Sequence, residues 1–104
     1  MPAAKNELTK EQILNYLREH KKELHEKYGV RKIGLFGSYA QGAADSDSDI
    51  DVAVEITKNK KTLHNFLNLK RDLEETFGKQ VDLGIENSLK PFIKEKVEQE
   101  IIYV

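Results

Sequence analysis

The chain has 104 residues, 38% of them hydrophobic and 34% charged, with a net charge of −1 at neutral pH and no cysteine. That is enough for one domain with a modest core, and it excludes disulfides, thiolate nucleophiles and cysteine zinc sites. A near-zero net charge removes the bulk electrostatic reason to bind nucleic acid tightly, and no apolar run approaches membrane-spanning length.

Residues 1–8 read as a flexible lead-in without the apolar run of a signal peptide, so the cytoplasm is the expected location. Thr9 and Gln12 have capping-box spacing and open a helix. Ile13, Leu14, Leu17, Leu24 and Tyr28 share one stripe of that helix, and Gly29 ends it. Lys32–Phe36 predicts a short strand, broken at Gly37-Ser38, and residues 38–42 a single helical turn. The small and polar stretch from Ala43 to Ser48 is a loop.

Residues 49–56 alternate as a strand does, with Ile50, Val52, Val54 and Ile56 on one face and Asp49, Asp51, Ala53 and Glu55 on the other. A basic turn, Thr57 to Lys61, leads to a second amphipathic helix marked by Leu63, Phe66, Leu67, Leu73 and Phe77 and closed by Gly78. Residues 80–85 predict a third strand, with Asp82 and Gly84 on the face opposite Val81, Leu83 and Ile85. A last helix with the stripe Leu89, Phe92, Ile93 and Val97 is capped by Asn87 or Ser88 and admits Pro91 in its first turn. The apolar end, Ile101 to Val104, is a strand or a docking tail; core closure is the simpler reading. The order helix, strand, strand, helix, strand, helix implies an α+β fold: a single domain, residues 1–104, with a small mixed sheet packed by helices.

The chemistry lies in the acids. Asp49 and Asp51 sit two apart on a strand, so both carboxylates point the same way, and Ile50 and Val52 fix that register from the core. Like charges held side by side repel, and a hard divalent cation such as magnesium removes the cost. Asp82 is an acid in an otherwise apolar strand, where a charge needs a reason. If its strand pairs with residues 49–56, three carboxylates gather. Such a cluster holds two metal ions at the ~3.5–4 Å separation of two-metal phosphoryl chemistry. Gly37 and Ser38 end a strand and open a helical turn, where free backbone N–H groups suit a phosphate, and Gly42 permits the exit.

Simpler readings exist. Asp45, Asp47, Asp49 and Asp51 alone would be a solvated acidic loop. An EF-hand fails because its turn glycine and closing glutamate would fall on Ile50 and Ile56. A Walker-A loop fails because no Lys-Ser/Thr follows Gly42. His20, His25 and His64 lack metal-ligand spacing and read as surface residues, the lysines at 58, 60 and 61 as a solvated turn, and Tyr39 as packing beneath the motif.

Gly37-Ser38, ten intervening residues and then Asp49-Ile50-Asp51 resembles the signature of the DNA polymerase β-type nucleotidyltransferase superfamily. Gly37 to Gly42 followed by Ser46-Asp47-Ser48-Asp49-Ile50-Asp51 is similar to its minimal branch, the small antitoxin partners of HEPN-domain toxins. The resemblance implies a polymerase β-like core and transfer of a nucleoside monophosphate from a nucleoside triphosphate, expected to be ATP, to a hydroxyl. It implies that Gly37, Ser38 and Ser48 bind the nucleotide and that Asp49, Asp51 and Asp82 are catalytic metal ligands for magnesium, two ions being expected. It further implies a HEPN toxin partner, silenced by modification of a tyrosine. In a core this small, recognition falls to a macromolecular acceptor that brings its own surface. Gln41 stands where the branch often has arginine. A contact-only antitoxin with a relict metal site and a small-molecule transferase acting on an aminoglycoside-like alcohol are the alternatives.

Overall fold

The computed structural model describes residues 8–104, so of the expected lead-in all but Leu8 lies outside the described residues. Leu8 itself packs against the core. The elements are α1 (Lys10–Glu19), α2 (Lys21–Tyr28), β1 (Val30–Phe36), α3 (Gly37–Gln41), β2 (Ile50–Ile56), α4 (Leu63–Phe77), β3 (Val81–Ile85), α5 (Pro91–Glu100) and β4 (Ile102–Tyr103). Short 3₁₀ turns at Lys58–Lys60 and Glu86–Ser88 join β2 to α4 and β3 to α5.

The α1 capping box is closed in both directions: Thr9 Oγ1 accepts from the Gln12 N–H at 3.1 Å, and Gln12 Oε1 accepts from the Thr9 N–H at 3.0 Å. The single helix expected up to Tyr28 is two helices, bent at His20. There the imidazole stacks on Tyr16 with ring centroids 3.9 Å apart, and its Nδ1 lies 2.9 Å from the Tyr16 carbonyl oxygen. That carbonyl also receives the His20 N–H, so side chain and backbone converge on one acceptor and the helix turns there. Gly29 ends α2 in the left-handed conformation, as its position requires.

The sheet order is β3-β2-β1-β4. β1 pairs antiparallel with β2 and β4, and β2 pairs parallel with β3, which makes the sheet mixed. The apolar tail is thus a strand: Ile102 and Tyr103 pair with Leu35 and Gly34. One face carries Ile33, Leu35, Ile50, Val52, Val54, Val81 and Leu83, buried under Ile13, Leu14 and Leu17 of α1, Leu24 and Tyr28 of α2, and Leu69 and Leu73 of α4. At roughly 25 cal/mol per Å² of apolar surface removed from water, this face supplies most of the driving force for folding.

The opposite face has a row without side-chain bulk, because Gly34, Ala53 and Gly84 are register neighbours on β1, β2 and β3. Here α5 and the residues around it settle: a Cβ at Gly34 would lie 2.6 Å from Ile101, and one at Gly84 would lie 3.5 Å from Leu89. Val97 is the buried residue of α5.

Two apolar stripes differ from expectation. On α4 the buried residues are Leu69 and Leu73, while Leu63 and Leu67 are 72% and 45% exposed; Leu63 lies in the first turn, and the buried face runs one step round the helix. On α5, Phe92 is 72% and Ile93 39% exposed. Nor do Asn87 or Ser88 cap α5. They belong to the 3₁₀ turn, Lys90 is the cap without a side-chain bond, and Pro91 supplies the first helical residue.

Candidate active site

Parallel pairing of β2 and β3 sets Ile50 opposite Val81 and therefore Asp51 opposite Asp82. Antiparallel pairing sets Phe36, the last residue of β1, on the other side of Asp51. The turn at Gly37 and the two acids thus meet at one end of the sheet, on the face away from the main core. Asp49 precedes β2 by one residue and is exposed, so the strand starts one residue later than its alternation suggested.

Gly37 has φ +76°, a conformation that a side chain disfavours. Space forbids a side chain as well, because a Cβ there would fall on the Asp51 carboxylate. The glycine therefore admits the carboxylate beside the first turn of α3. Gly42 ends α3 with φ +75°, and the Ala43 N–H returns to the Ser38 carbonyl at 2.9 Å. Tyr39 is buried beneath α3, in keeping with a packing role. Ser48 stands within the loop before Asp49: its hydroxyl accepts from the Asp45 N–H at 3.0 Å and donates to Asp45 Oδ1 at 3.2 Å.

Among the described residues, the charged groups that act on Asp51 are all acids. The Asp51 carboxyl is raised from 3.8 to about 6, first by burial, then by the negative charges of Asp82 and Asp49, by a hydrogen bond from its protonated form to Asp82, and by Glu100 of α5. As the side chains stand, no three acids or histidines among the described residues converge tightly enough to hold a metal ion. The Asp51–Asp82 pair fits a hard divalent cation by donor type and by its unneutralised negative charge, and the charge of exposed Asp49 lies near enough to act on Asp51. Glu100 is the acid that sequence reading missed. It sits at the end of an amphipathic helix among other glutamates, so nothing local marks it out.

The histidines are elsewhere. His25 Nδ1 lies 3.0 Å from the Val30 carbonyl oxygen, and His64 pairs with Asn68. Lys60 donates to the Glu26 carbonyl at 3.2 Å, so one lysine of the basic turn has a structural bond.

A pH dependence follows. The folded-state pKa of Asp51 lies above its unfolded value, so the fold prefers the protonated acid. The resulting penalty is absent below pH 3.8, grows between 3.8 and about 6, and is complete above 6. Allowing for solvent screening at this partly exposed group, it amounts to about 1 kcal/mol. In chelator at neutral pH, thermal denaturation should show Asp51→Asn more stable than wild type, with the difference vanishing near pH 4. A difference independent of pH would rule out this origin.

The comparisons agree with the geometry. The family model described as the nucleotidyltransferase domain matches residues 17–104. The chain is 45% identical over 97 residues to the protein adenylyltransferase MntA of Thermococcus cleftensis, covering 93% of this chain and 97% of that protein. A solved structure of a candidate minimal nucleotidyltransferase is 35% identical with a TM-score of 0.77, covering 91% of this chain and 95% of that one. A toxin-antitoxin structure with AMP-PNP is 26% identical with a TM-score of 0.68, covering 92% of this chain and 72% of that one. A mixed sheet that sets Asp51 against Asp82 beside the turn at Gly37, together with these matches, makes this chain a member of the nucleotidyltransferase-domain family, a nucleotidyltransferase of the minimal branch.

Proposed function

We propose that this enzyme transfers AMP from ATP to a tyrosine hydroxyl of a partner toxin of the HEPN class and thereby acts as its antitoxin. The observation that carries this reading is the register pair Asp51–Asp82 beside Gly37, two acids that repel each other next to the first turn of α3. The name of the Thermococcus cleftensis relative supports the reaction, and the toxin-antitoxin structure with AMP-PNP supports both the partner and the nucleotide. No helix among the described residues is long and apolar enough to cross a membrane, and a cytoplasmic toxin-antitoxin complex is the setting we propose.

Magnesium, with two ions the proposed number, would be held by Asp49, Asp51 and Asp82 and would neutralise phosphate charge and acidify the acceptor hydroxyl. The backbone at Gly37 and Ser38 binds the triphosphate. The acceptor oxygen forms a bond to the α-phosphorus, the bond from that phosphorus to the bridging oxygen breaks, and pyrophosphate leaves. The acceptor proton passes to the carboxylate of Asp82. Ser48, bonded to Asp45, contributes by shaping the loop that presents Asp49. Most of the catalysis is positioning and charge placement.

A contact-only antitoxin is the second reading. The observation favouring it is exposed Gln41 at the end of α3, which supplies no cation to the phosphates. Incubation with the product of the neighbouring gene, as the proposed toxin, together with magnesium and α-labelled ATP separates the two. Label should appear on a toxin tyrosine and disappear with Asp49→Ala plus Asp51→Ala. Absence of label, with neutralisation surviving the double substitution, would sink the catalytic reading.

A further inference from the structure

The two acid-bearing segments and the phosphate turn need a common tie, and one side chain outside the motif supplies it. The loop from Ala43 to Ser48 is bonded mainly to itself: the Asp47 N–H donates to Asp45 Oδ1 at 2.9 Å, the Ser48 N–H to the Asp45 carbonyl at 3.1 Å, and the Asp45–Ser48 side-chain bonds close the turn. It is therefore a small rigid unit whose pose depends on its few bonds to the rest of the protein. Ala44 packs against the core, but much of the loop borders a cavity of about 290 Å³ lined by Tyr39, Gly42, Ala44, Asp45, Ser46 and Lys79, among others. Among the described residues, the only side chain from outside the loop that bonds its backbone is Lys79, whose Nζ donates to the Ser46 carbonyl at 2.8 Å. The same ammonium lies 5.9 Å from the ring centroid of Tyr39, the buried residue of α3 that follows Gly37-Ser38. Lys79 itself stands two residues before β3, whose second residue is Asp82. Next to it, the Gln80 carbonyl accepts the Ile50 N–H at 3.0 Å, so the ladder between the acid strands begins where the lysine is anchored.

We infer that Lys79 is a positioning residue that sets Asp49 relative to Asp82 and the Gly37-Ser38 turn by holding the 43–48 loop and α3 to the start of β3. This rests on the metal-ligand reading of the three aspartates. Removing the lysine leaves the loop's internal bonds intact but lets the unit shift into the cavity behind it, and Asp49, the next residue, shifts with it. A displacement of about 1 Å at a reacting site costs on the order of a hundredfold in rate, and loss of a residue that orients a metal ligand costs about tenfold or more in metal affinity.

The test compares the full-length wild type with Lys79→Met, Lys79→Gln and Lys79→Arg. Manganese affinity is read by electron paramagnetic resonance, amide exchange at residues 47–50 by NMR, and transfer by kcat and KM. Lys79→Met and Lys79→Gln should keep the wild-type melting temperature within about 3 °C, a surface-sized change. Both should exchange the Ile50 amide, whose acceptor is the Gln80 carbonyl next to Lys79, faster while the internally bonded Asp47 and Ser48 amides keep their rates, bind manganese about tenfold more weakly and lose kcat more than KM. Lys79→Arg, which restores the donor and the cation, should recover most of each. Wild-type exchange rates and manganese affinity in the Met and Gln variants would overturn the inference, and so would loss in the Arg variant equal to that in Met. A wild type that binds manganese but modifies no toxin would instead count against the proposed acceptor, since the exchange and affinity measurements decide the role of Lys79 without it.

Discussion

Asp51→Asn should lower nucleotide transfer by about 10³-fold or more while leaving the protein at least as stable as before. Most substitutions at a half-buried position destabilise, so the opposite signs make this a discriminating result. Asparagine keeps the shape of the side chain beside Gly37 and removes the charge. In the metal-free protein that charge is a burden: burial and the neighbouring Asp82 and Asp49 raise the Asp51 carboxyl to about 6, so ionisation at neutral pH works against the fold. In the proposed mechanism the same charge serves as a metal ligand, and an amide oxygen is a poor replacement. Saturating magnesium should reverse the stability order, because the cation stabilises only the protein that binds it. The measurements are thermal denaturation with and without magnesium, alongside label transfer to the toxin. A variant that is both inactive and less stable in chelator would mean that Asp51 is a structural acid.

The second large effect is expected at Gly37. Gly37→Ala places a Cβ at φ +76°, which costs about 1–2 kcal/mol in any protein. It also drives that Cβ into the Asp51 carboxylate, which must move. Because Asp51 faces Asp82 across a fixed register, the movement misaligns the pair, and transfer should fall by about a hundredfold. Gly42→Ala is the matched control: φ is +75° and no atom lies within 4 Å of the added Cβ. It should show the conformational cost alone, with activity within a few-fold of wild type. Urea denaturation and transfer rates of the two variants decide the matter, and equal losses in both would show that the contact with Asp51 is unimportant.

Much of the site was legible because it is written in local terms. The parity of Asp49 and Asp51, the glycine at the strand end and the lone acid in Val81-Asp82-Leu83 need only strand periodicity and the cost of burying charge. The boundaries of β1 and β2 were less legible because pairing, not alternation, decides where a strand starts. Asp49 keeps the parity of β2 but lies outside its ladder. The bend at His20 was hidden because Leu17, Leu24 and Tyr28 continue one helical stripe, and a side chain competing for a backbone carbonyl leaves no periodic trace. The stripes on α4 and α5 were misjudged for a related reason. Leu63 and Phe92 fit the spacing of a buried face, but each lies in the first turn of its helix and stays largely exposed.

By itself, the sequence determined the α+β character of the chain, the faces of its strands and the positions of the candidate acids and of the glycine turn after β1, since each follows from residue type and spacing along one segment. Only the tertiary structure decided that β3 runs parallel to β2, so that Asp51 meets Asp82, that Glu100 and Lys79 belong to the same neighbourhood, and that the Gly34–Ala53–Gly84 row makes room for Ile101 and Leu89 beside α5. Most of those facts join segments more than 30 residues apart, as Asp51 and Asp82, Ser46 and Lys79, Asp51 and Glu100, and Gly34 and Ile101 are. Strand register and a shared cavity create them, and neither is a property of any single segment of chain.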